Sequence, residues 1–131
     1  MDAKIEPSKK LDRLARVVVG AALEVHRHPG AGYLESVYEE ALAVELGLRN
    51  IPYVRQKVFG VSYKEHEIGE GRLDPLVGDE LLVELKAVEA LAPIHKAQVI
   101  SYLKATGLHL GLLINFNVPV LRDGIQRIVR S

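Results

Sequence analysis

The residues of this chain best suited to chemistry lie in two short segments, RLDPLV (residues 72–77) and VELKA (residues 83–87). They place Asp74 ten residues before Glu84, and Lys86 follows two residues after that. Carboxylate oxygens are the ligands that hard divalent cations such as Mg²⁺ prefer. A lysine beside such a cation can help to activate water and to stabilise the charge that develops on a phosphate. These three residues therefore indicate a metal-dependent phosphodiesterase.

Glu84 and Lys86 lie in an apolar segment that is predicted to form a central strand from Leu81 to Ala87. Because side chains alternate along a strand, these two charged residues share one face while Val83 and Leu85 share the other. Charged side chains in such surroundings are costly unless they are paired or bind a metal. The alternative interpretation is a surface hairpin with an ordinary Glu–Lys ion pair.

The register of the preceding hairpin determines whether the two carboxylates meet. If residues 78–80 form a three-residue loop, Val77 pairs with Leu81, and counting back sets Asp74 opposite Glu84 with Cβ atoms roughly 5 Å apart. A two-residue loop would place the carboxylates on opposite faces of the sheet. Pro75 is compatible with a bulge or an edge position, because proline cannot donate to the ladder.

Two predicted helices carry further candidates. Glu35 and Tyr38 lie one turn apart on a helix from about Leu34 to Leu46, with Glu35 at the edge of its buried stripe. On a later helix His95, Gln98 and Tyr102 fall on one face, at positions i, i+3 and i+7. Either set can also be explained without function, as a first-turn glutamate favoured by the helix dipole or as polar residues at a helix rim.

The other elements follow from periodicity and turn residues. Ser8 can cap a helix that runs to about His28, and the sequence PGAG at residues 29–32 breaks it. The first seven residues are predicted to be a loose tail, and residues 1–131 to form one domain. Beyond the elements already named, we predict strands at 53–59, 61–64, 68–77, 108–116 and 124–129, with the 61–64 and 68–77 strands joined in a hairpin around 65–67, and a helix at 93–106 that Gly107 ends.

The composition narrows the function classes further. The chain has 131 residues, of which 48% are hydrophobic and 26% charged, and it has no cysteine. Disulfides and thiolate metal sites are therefore excluded. A formal net charge of zero argues against a protein that coats DNA nonspecifically. With neither a signal peptide nor a membrane-spanning apolar run in the sequence, a cytoplasmic location without membrane contact is expected.

A longer set of motifs resembles a known family. The sequence GYLESVY (residues 32–38) is a GxxExxY motif, and the chain resembles the GxxExxY family, small prokaryotic proteins of the PD-(D/E)XK nuclease superfamily. The resemblance runs from about Leu11 to Val129. Its blocks are VHR at 25–27, the glycines at 30 and 32, LESVYEEAL at 34–42, RLD at 72–74, VELKA at 83–87, HKAQVISYLKATG at 95–107 and GLLINF at 111–116.

The resemblance implies an α/β (α+β) fold with an α-β-β-β-α-β core and a mixed central sheet flanked by helices. It also implies that Glu35 is the helix acid, that Asp74, Glu84 and Lys86 form the strand motif, and that Gln98 with Tyr102 corresponds to a QxxxY element associated with substrate contacts. The chain departs from the family pattern at Ala31, where proline is common, and at Pro75, which could alter how the preceding aspartate points.

Together these observations predict a nuclease that uses Mg²⁺ or Mn²⁺ and acts on DNA in preference to RNA. The predicted metal ligands are Asp74, Glu84, Glu35 and the backbone carbonyl of Leu85, with Lys86 as the remaining catalytic group. The predicted substrate-binding residues are Gln98, Tyr102, Arg72, Tyr38 and His95. A homodimer or a larger protein partner is expected, because so small a chain has little surface for a duplex. The alternative is a catalytically silent module of the same fold that binds nucleic acid or a protein.

Overall fold

The computed structural model describes residues 6–130 of the chain. Along the chain, two helices come first, five strands follow, and a helix and two strands complete the fold, with a short 3-10 helix between the last two strands. The elements are α1 (Lys9–Arg27), α2 (Glu35–Leu48), β1 (Tyr53–Val54), β2 (Lys57–Tyr63), β3 (His66–Leu73), β4 (Leu76–Val77), β5 (Leu81–Lys86), α3 (Pro93–Thr106), β6 (Leu110–Asn115), a short 3-10 helix (Leu121–Gly124) and β7 (Ile125–Val129).

Five strands form the central sheet, in the order β1-β4-β5-β6-β7. Strands β5 and β6 are parallel, whereas the other neighbouring pairs are antiparallel. Two parallel strands need a long crossover connection, and α3 supplies it. The sheet is therefore mixed and flanked by helices, which confirms the predicted fold class.

The two faces of the sheet are covered by different helices. On one face α1 and α2 pack over Val83 and Leu85 in the larger hydrophobic cluster. On the other face Val99 and Leu103 of α3 pack in a second cluster that includes Leu82 of β5. Because residues 82, 84 and 86 alternate with 83 and 85, the two charged side chains of β5 lie on the α3 face.

The helix ends largely follow the sequence signals. The Ser8 hydroxyl accepts a hydrogen bond from the Leu11 backbone N–H at 3.1 Å, which caps α1 as predicted. Asn50 follows α2 in a left-handed conformation, with φ of 57°, which is a common way for a helix to end. Helix α3 has the predicted bounds, and Gly107 ends it with φ of 74°.

The strand prediction was wrong in the middle of the chain. The predicted strand 53–59 is interrupted at Gln56, whose φ of 50° cannot continue a ladder, so β1 and β2 are separate. The predicted strand 68–77 is divided between two sheets, because β3 pairs with β2 in a two-stranded sheet while β4 joins the central one. The Asp74–Pro75 peptide bond is cis and lies at this division.

Smaller differences concern turns and chain ends. The β2–β3 turn is formed by Lys64 and Glu65, both with positive φ, and not by residues 65–67. A 3-10 helix replaces the start of the predicted last strand, so β7 begins at Ile125. Of the predicted tail, residues 1–5 lie outside the described part, and residues 6–7 have no regular secondary structure.

The helices of the described residues are also informative about membranes. No helix between residues 6 and 130 is both long enough and apolar enough to cross a bilayer.

Replacing Gly111 by alanine tests the packing of α3 on the sheet. A Cβ at this position would lie 2.8 Å from Val99 Cγ1 and 3.6 Å from Leu82 Cδ2. We expect Gly111→Ala to lower the free energy of unfolding by about 1–3 kcal/mol through overpacking, measured by urea denaturation. The control is Gly47→Ala in α2, where no atom lies within 4 Å of the added Cβ. That variant should be neutral or stabilised by up to about 1 kcal/mol.

Candidate active site

The hairpin register required to bring the two strand carboxylates together is present. Residues 78–80 form the loop, and Val77 pairs with Leu81. The Val83 backbone N–H donates to the Pro75 carbonyl at 3.3 Å, which extends the pairing to the residue that follows Asp74. Asp74 is thus held beside the part of β5 that carries Glu84.

Glu84 and Lys86 form an ion pair within β5. Lys86 Nζ lies 3.7 Å from Glu84 Oε1, and only 17% of the Glu84 side chain and 18% of the Lys86 side chain are exposed. A pair so removed from water differs from the surface pair of the alternative interpretation, because each charge loses most of its hydration. Whether one lysine is enough to stabilise the ionised form of Glu84 depends on the other groups around this carboxylate.

Lysine 86 does not fully compensate Glu84. The pKa of Glu84 is raised to about 7, chiefly by burial and in addition by the charges of Glu35 and Glu39, against the lowering effect of Lys86. Helix α2 therefore brings carboxylates to β5, as the resemblance implied for Glu35. A carboxyl with a pKa near neutrality in such a setting is typical of catalytic and metal-binding sites.

Glu39 belongs to the same group of acids, and the sequence analysis missed it. Burial raises its pKa, and the neighbouring charges of Asp74 and Glu35 act in the same direction. Glu39 lies one helical turn after Glu35, so the i, i+4 spacing could have indicated it. We call Glu35, Glu39, Asp74 and Glu84 the carboxylate cluster.

Asp74 has a cation partner that the sequence analysis did not identify. Arg55, between β1 and β2, donates from Nε to Asp74 Oδ1 at 2.7 Å and from Nη2 to Oδ2 at 3.4 Å. Its Nη1 also donates to Glu40 Oε1 at 3.2 Å. The hydrogen bond to Asp74 is the main reason that the pKa of Arg55 is raised. Arg55 thus offsets the negative charge on the α2 side of the cluster.

Arg55, and not Arg72, is the arginine that pairs with Asp74. Arg72, a predicted substrate-binding residue, lies exposed on β3 opposite Val58, in the separate two-stranded sheet. Among residues 6–130 it forms no ion pair with an acid. The division of the predicted strand before Pro75 is the physical reason, because Arg72 and Asp74 no longer belong to one continuous strand.

The carboxylate cluster suits a hard cation in its chemistry but is not a closed cage. Its oxygens are the donors that Mg²⁺ and Mn²⁺ prefer. In the part of the chain from residue 6 to residue 130, however, no three acidic or histidine side chains are arranged to hold a metal ion. Leu85, the predicted carbonyl ligand, directs its buried side chain into the opposite face.

Gln98 and Tyr102 lie on the same side of the sheet as Glu84 and Lys86. Gln98 Nε2 donates to the Tyr102 hydroxyl oxygen at 3.2 Å, and both side chains are half-buried. The Tyr102 ring meets Phe59 edge to face, with centroids 5.1 Å apart. The contact with Phe59 fixes one side of the Tyr102 ring against β2.

Tyr38 and His95 have structural contacts where substrate contacts were predicted. Tyr38 is fully buried, its ring stacks on Phe116 at 4.6 Å, and its hydroxyl donates to the Gly30 carbonyl at 2.6 Å. It therefore ties the α1–α2 loop to the core and presents no surface to a substrate. His95 Nδ1 accepts a hydrogen bond from the Ala92 N–H at 2.9 Å at the start of α3.

Comparison with known protein families agrees with this fold. The sequence model of the PD-(D/E)XK nuclease superfamily matches residues 12–128. The chain therefore belongs to the PD-(D/E)XK nuclease superfamily. A search of curated proteins found no match.

The raised pKa of Glu84 predicts how stability depends on pH in the presence of chelator. Between its ordinary value of 4.5 and about 7, the folded chain holds a proton that the unfolded chain releases. Stability therefore falls as pH rises through this window, by at most about 3 kcal/mol from this residue. Urea denaturation at a series of pH values should show a shallower fall for Glu84→Gln than for wild type.

A matched control separates this effect from general charge changes. Glu80→Gln, at an exposed loop position, should keep the wild-type slope between pH 4.5 and 7. Equal slopes in wild type and Glu84→Gln would show that Glu84 does not retain its proton in the folded state.

Proposed function

We propose that this chain is a metal-dependent nuclease that hydrolyses phosphodiester bonds, with DNA favoured over RNA and with Mg²⁺ or Mn²⁺ as the cation. Membership in the superfamily suggests nuclease activity. The observation that carries the proposal is the placement of Glu84 and Lys86, 3.7 Å apart, among three further carboxylates. Within the superfamily we assign the chain to the GxxExxY proteins, on the motif at residues 32–38.

Asp74, Glu84 and Glu35 would hold the cation, together with the Leu85 carbonyl, and Glu39 is close enough to the same acids to assist. The bound cation would supply Lewis-acid stabilisation of the negative charge on the scissile phosphate. Two observations support this ligand set. Glu84 lacks full compensation by protein cations, and Glu39 experiences the charges of both Asp74 and Glu35.

Lys86 would act on water and phosphate. Its ammonium group stands beside Glu84 and has three N–H donors, of which Glu84 Oε1 can occupy one. The others can orient a water molecule and donate to a phosphate oxygen whose negative charge grows in the transition state. Packing of Leu85 into the core fixes the strand, so the ammonium group needs little rearrangement during reaction.

The substrate would approach over the α3 side of the sheet. Gln98 and Tyr102 are half-buried there and can contact a phosphate or a base. Arg72 is exposed on β3 and can contact a neighbouring phosphate. His95 stands at the start of the same helix, with Nε2 left for a substrate contact. Tyr38 is left out of this proposed surface because it is buried.

Cleavage of labelled DNA tests the role of Lys86. We expect wild-type protein with Mg²⁺ or Mn²⁺ to cleave single-stranded or duplex DNA faster than RNA, and chelator to stop the reaction. Lys86→Ala should lose activity by roughly 100-fold or more, because a positioned donor at the developing charge is removed. Lys104→Ala, an exposed residue on α3, is the matched control and should retain wild-type activity.

Full activity of a folded Lys86→Ala variant would refute its assigned role. Circular dichroism and urea denaturation must show that the variant is folded. Loss of cleavage in Lys104→Ala as well would indicate a general effect of positive charge on substrate binding, and not a specific function of Lys86.

A second candidate is a catalytically silent module that binds nucleic acid or a protein. It is favoured by the Arg55–Asp74 pair, because both Asp74 oxygens accept from a guanidinium that would compete with a cation. Calorimetric titration with Mn²⁺ distinguishes the two candidates. A nuclease should bind Mn²⁺ with an affinity that Glu84→Gln weakens at least about tenfold, whereas a silent module should show no such binding.

A further inference from the structure

Helix α2 carries a second apolar stripe on the surface that faces away from the sheet. Leu34 and Leu48 at its two ends are 77% and 73% exposed, and Val37 and Val44 between them are also exposed. Ala41 is half-buried at the centre. We call Leu34, Val37, Ala41, Val44 and Leu48 the outer stripe.

The spacing of the outer stripe is that of a helix–helix contact. Its members follow one another at intervals of three, four, three and four residues. This alternation is the a and d pattern of packed helices. The opposite side of α2 is already buried in the core through Tyr38, Leu42 and Leu46. A helix that is apolar on both sides is stabilised by an apolar neighbour on each, and residues 6–130 supply only one.

The outer stripe is also symmetric about its centre. From Ala41, the stripe continues with a valine and then a leucine in both chain directions. Two antiparallel copies related by a twofold axis at Ala41 would bring Val37 near Val44 and Leu34 near Leu48 of the second copy. Such an isologous contact uses the same patch twice. The small alanine allows the helices to approach where they cross, and the leucines close the two ends.

We propose that α2 mediates a homodimer in which the outer stripes of two copies pack antiparallel against each other. This assigns the exposed apolar side of α2 to a second copy of the chain.

The charges beside the outer stripe permit this approach. Glu40 and Glu45 flank it, and each accepts a hydrogen bond from an arginine of its own chain. Glu40 accepts from Arg55 at 3.2 Å, and Glu45 accepts from Arg49 at 2.7 Å. The formal net charge of the chain is zero, so two copies do not repel at long range.

The size of the patch predicts a reversible dimer. The outer stripe exposes on the order of 500 Å² per copy, at the upper end for the largest apolar patch of a monomer. Specific interfaces bury about 800 Å² per partner, so polar residues around the stripe must complete the contact. We therefore expect a dissociation constant in the micromolar range, about 10 µM.

The dimer would leave the carboxylate cluster open. Glu35 and Glu39 project from the side of α2 nearly opposite the outer stripe, as their positions on a helical wheel require. Dimerisation and the proposed nuclease activity therefore occupy different sides of the same helix, and neither proposal rests on the other.

Analytical ultracentrifugation over a concentration range that spans the expected dissociation constant tests the proposal. Wild type should change from monomer to dimer with rising concentration. Val44→Glu should weaken the dimer at least about 100-fold, because two glutamates would be buried near the twofold axis. Ile94→Glu, a change of an equally exposed apolar residue on α3, should dimerise as wild type does. A wild type that stays monomeric, or a Val44→Glu variant that still dimerises, would overturn the assignment.

Cross-linking locates the axis independently. The chain has no cysteine, so Ala41→Cys introduces a single thiol. A short bismaleimide reagent should link two copies efficiently through this residue, and Ile94→Cys should give little product. Efficient linking of Ile94→Cys with none of Ala41→Cys would place the interface on α3 and refute the proposal.

Discussion

The structure depends most on how four carboxylates are kept near one strand end with few cations to balance them. Glu84 lies in a central strand between apolar neighbours, and its pKa of about 7 reflects the cost of ionising it there. Lys86 compensates the cluster from within β5, and Arg55 compensates it from beyond the sheet edge. The two acids that form these pairs, Asp74 and Glu84, are largely shielded from water, with side-chain exposures of 15% and 17%. Such an arrangement lowers the free energy of unfolding at neutral pH. A bound divalent cation would offset the repulsion and raise the free energy of unfolding again.

The rest of the fold positions these charges through the pairing of β5 with β6. Parallel strands require α3 as a crossover, and the same helix brings Gln98 and Tyr102 to the face that carries Glu84 and Lys86. Close contact of Gly111 with Val99 sets how near α3 can lie to the sheet. On the other face α1 and α2 pack over β5, and α2 thereby delivers its first two turns of acids to the strand end. Strand β5 therefore lies between helices that bring polar or acidic side chains near it from both faces of the sheet.

Local pattern was enough for the features that local chemistry controls. The three-residue loop at 78–80 and the alternation along β5 gave the register, and Pro93 with Gly107 gave the bounds of α3. Pattern failed where two sheets share one stretch of chain, because the sequence on either side of the division before Pro75 does not indicate which sheet each part joins. Arg55 could not be found from the sequence alone, since its contact with Asp74 spans 19 residues and depends on the β1–β4 pairing. Glu39 could have been identified from the sequence, because it follows Glu35 by one helical turn. Its burial could not, because that depends on tertiary packing.

Arg55 and the proposed cation would compete for the carboxylate of Asp74. Both of its oxygens are engaged by Arg55, yet it lies beside β5 and its charge acts on Glu39, so the proposed cation would share it with neighbouring carboxylates. A guanidinium and a divalent cation favour the same ionised carboxylate, so binding of either keeps Asp74 charged and oriented. Arg55 can retain Glu40 when Asp74 turns toward a cation, because its Nη1 contact is separate from the two contacts with Asp74. The arginine thus holds the aspartate in place, and the proposed cation would have to compete with it for the same carboxylate.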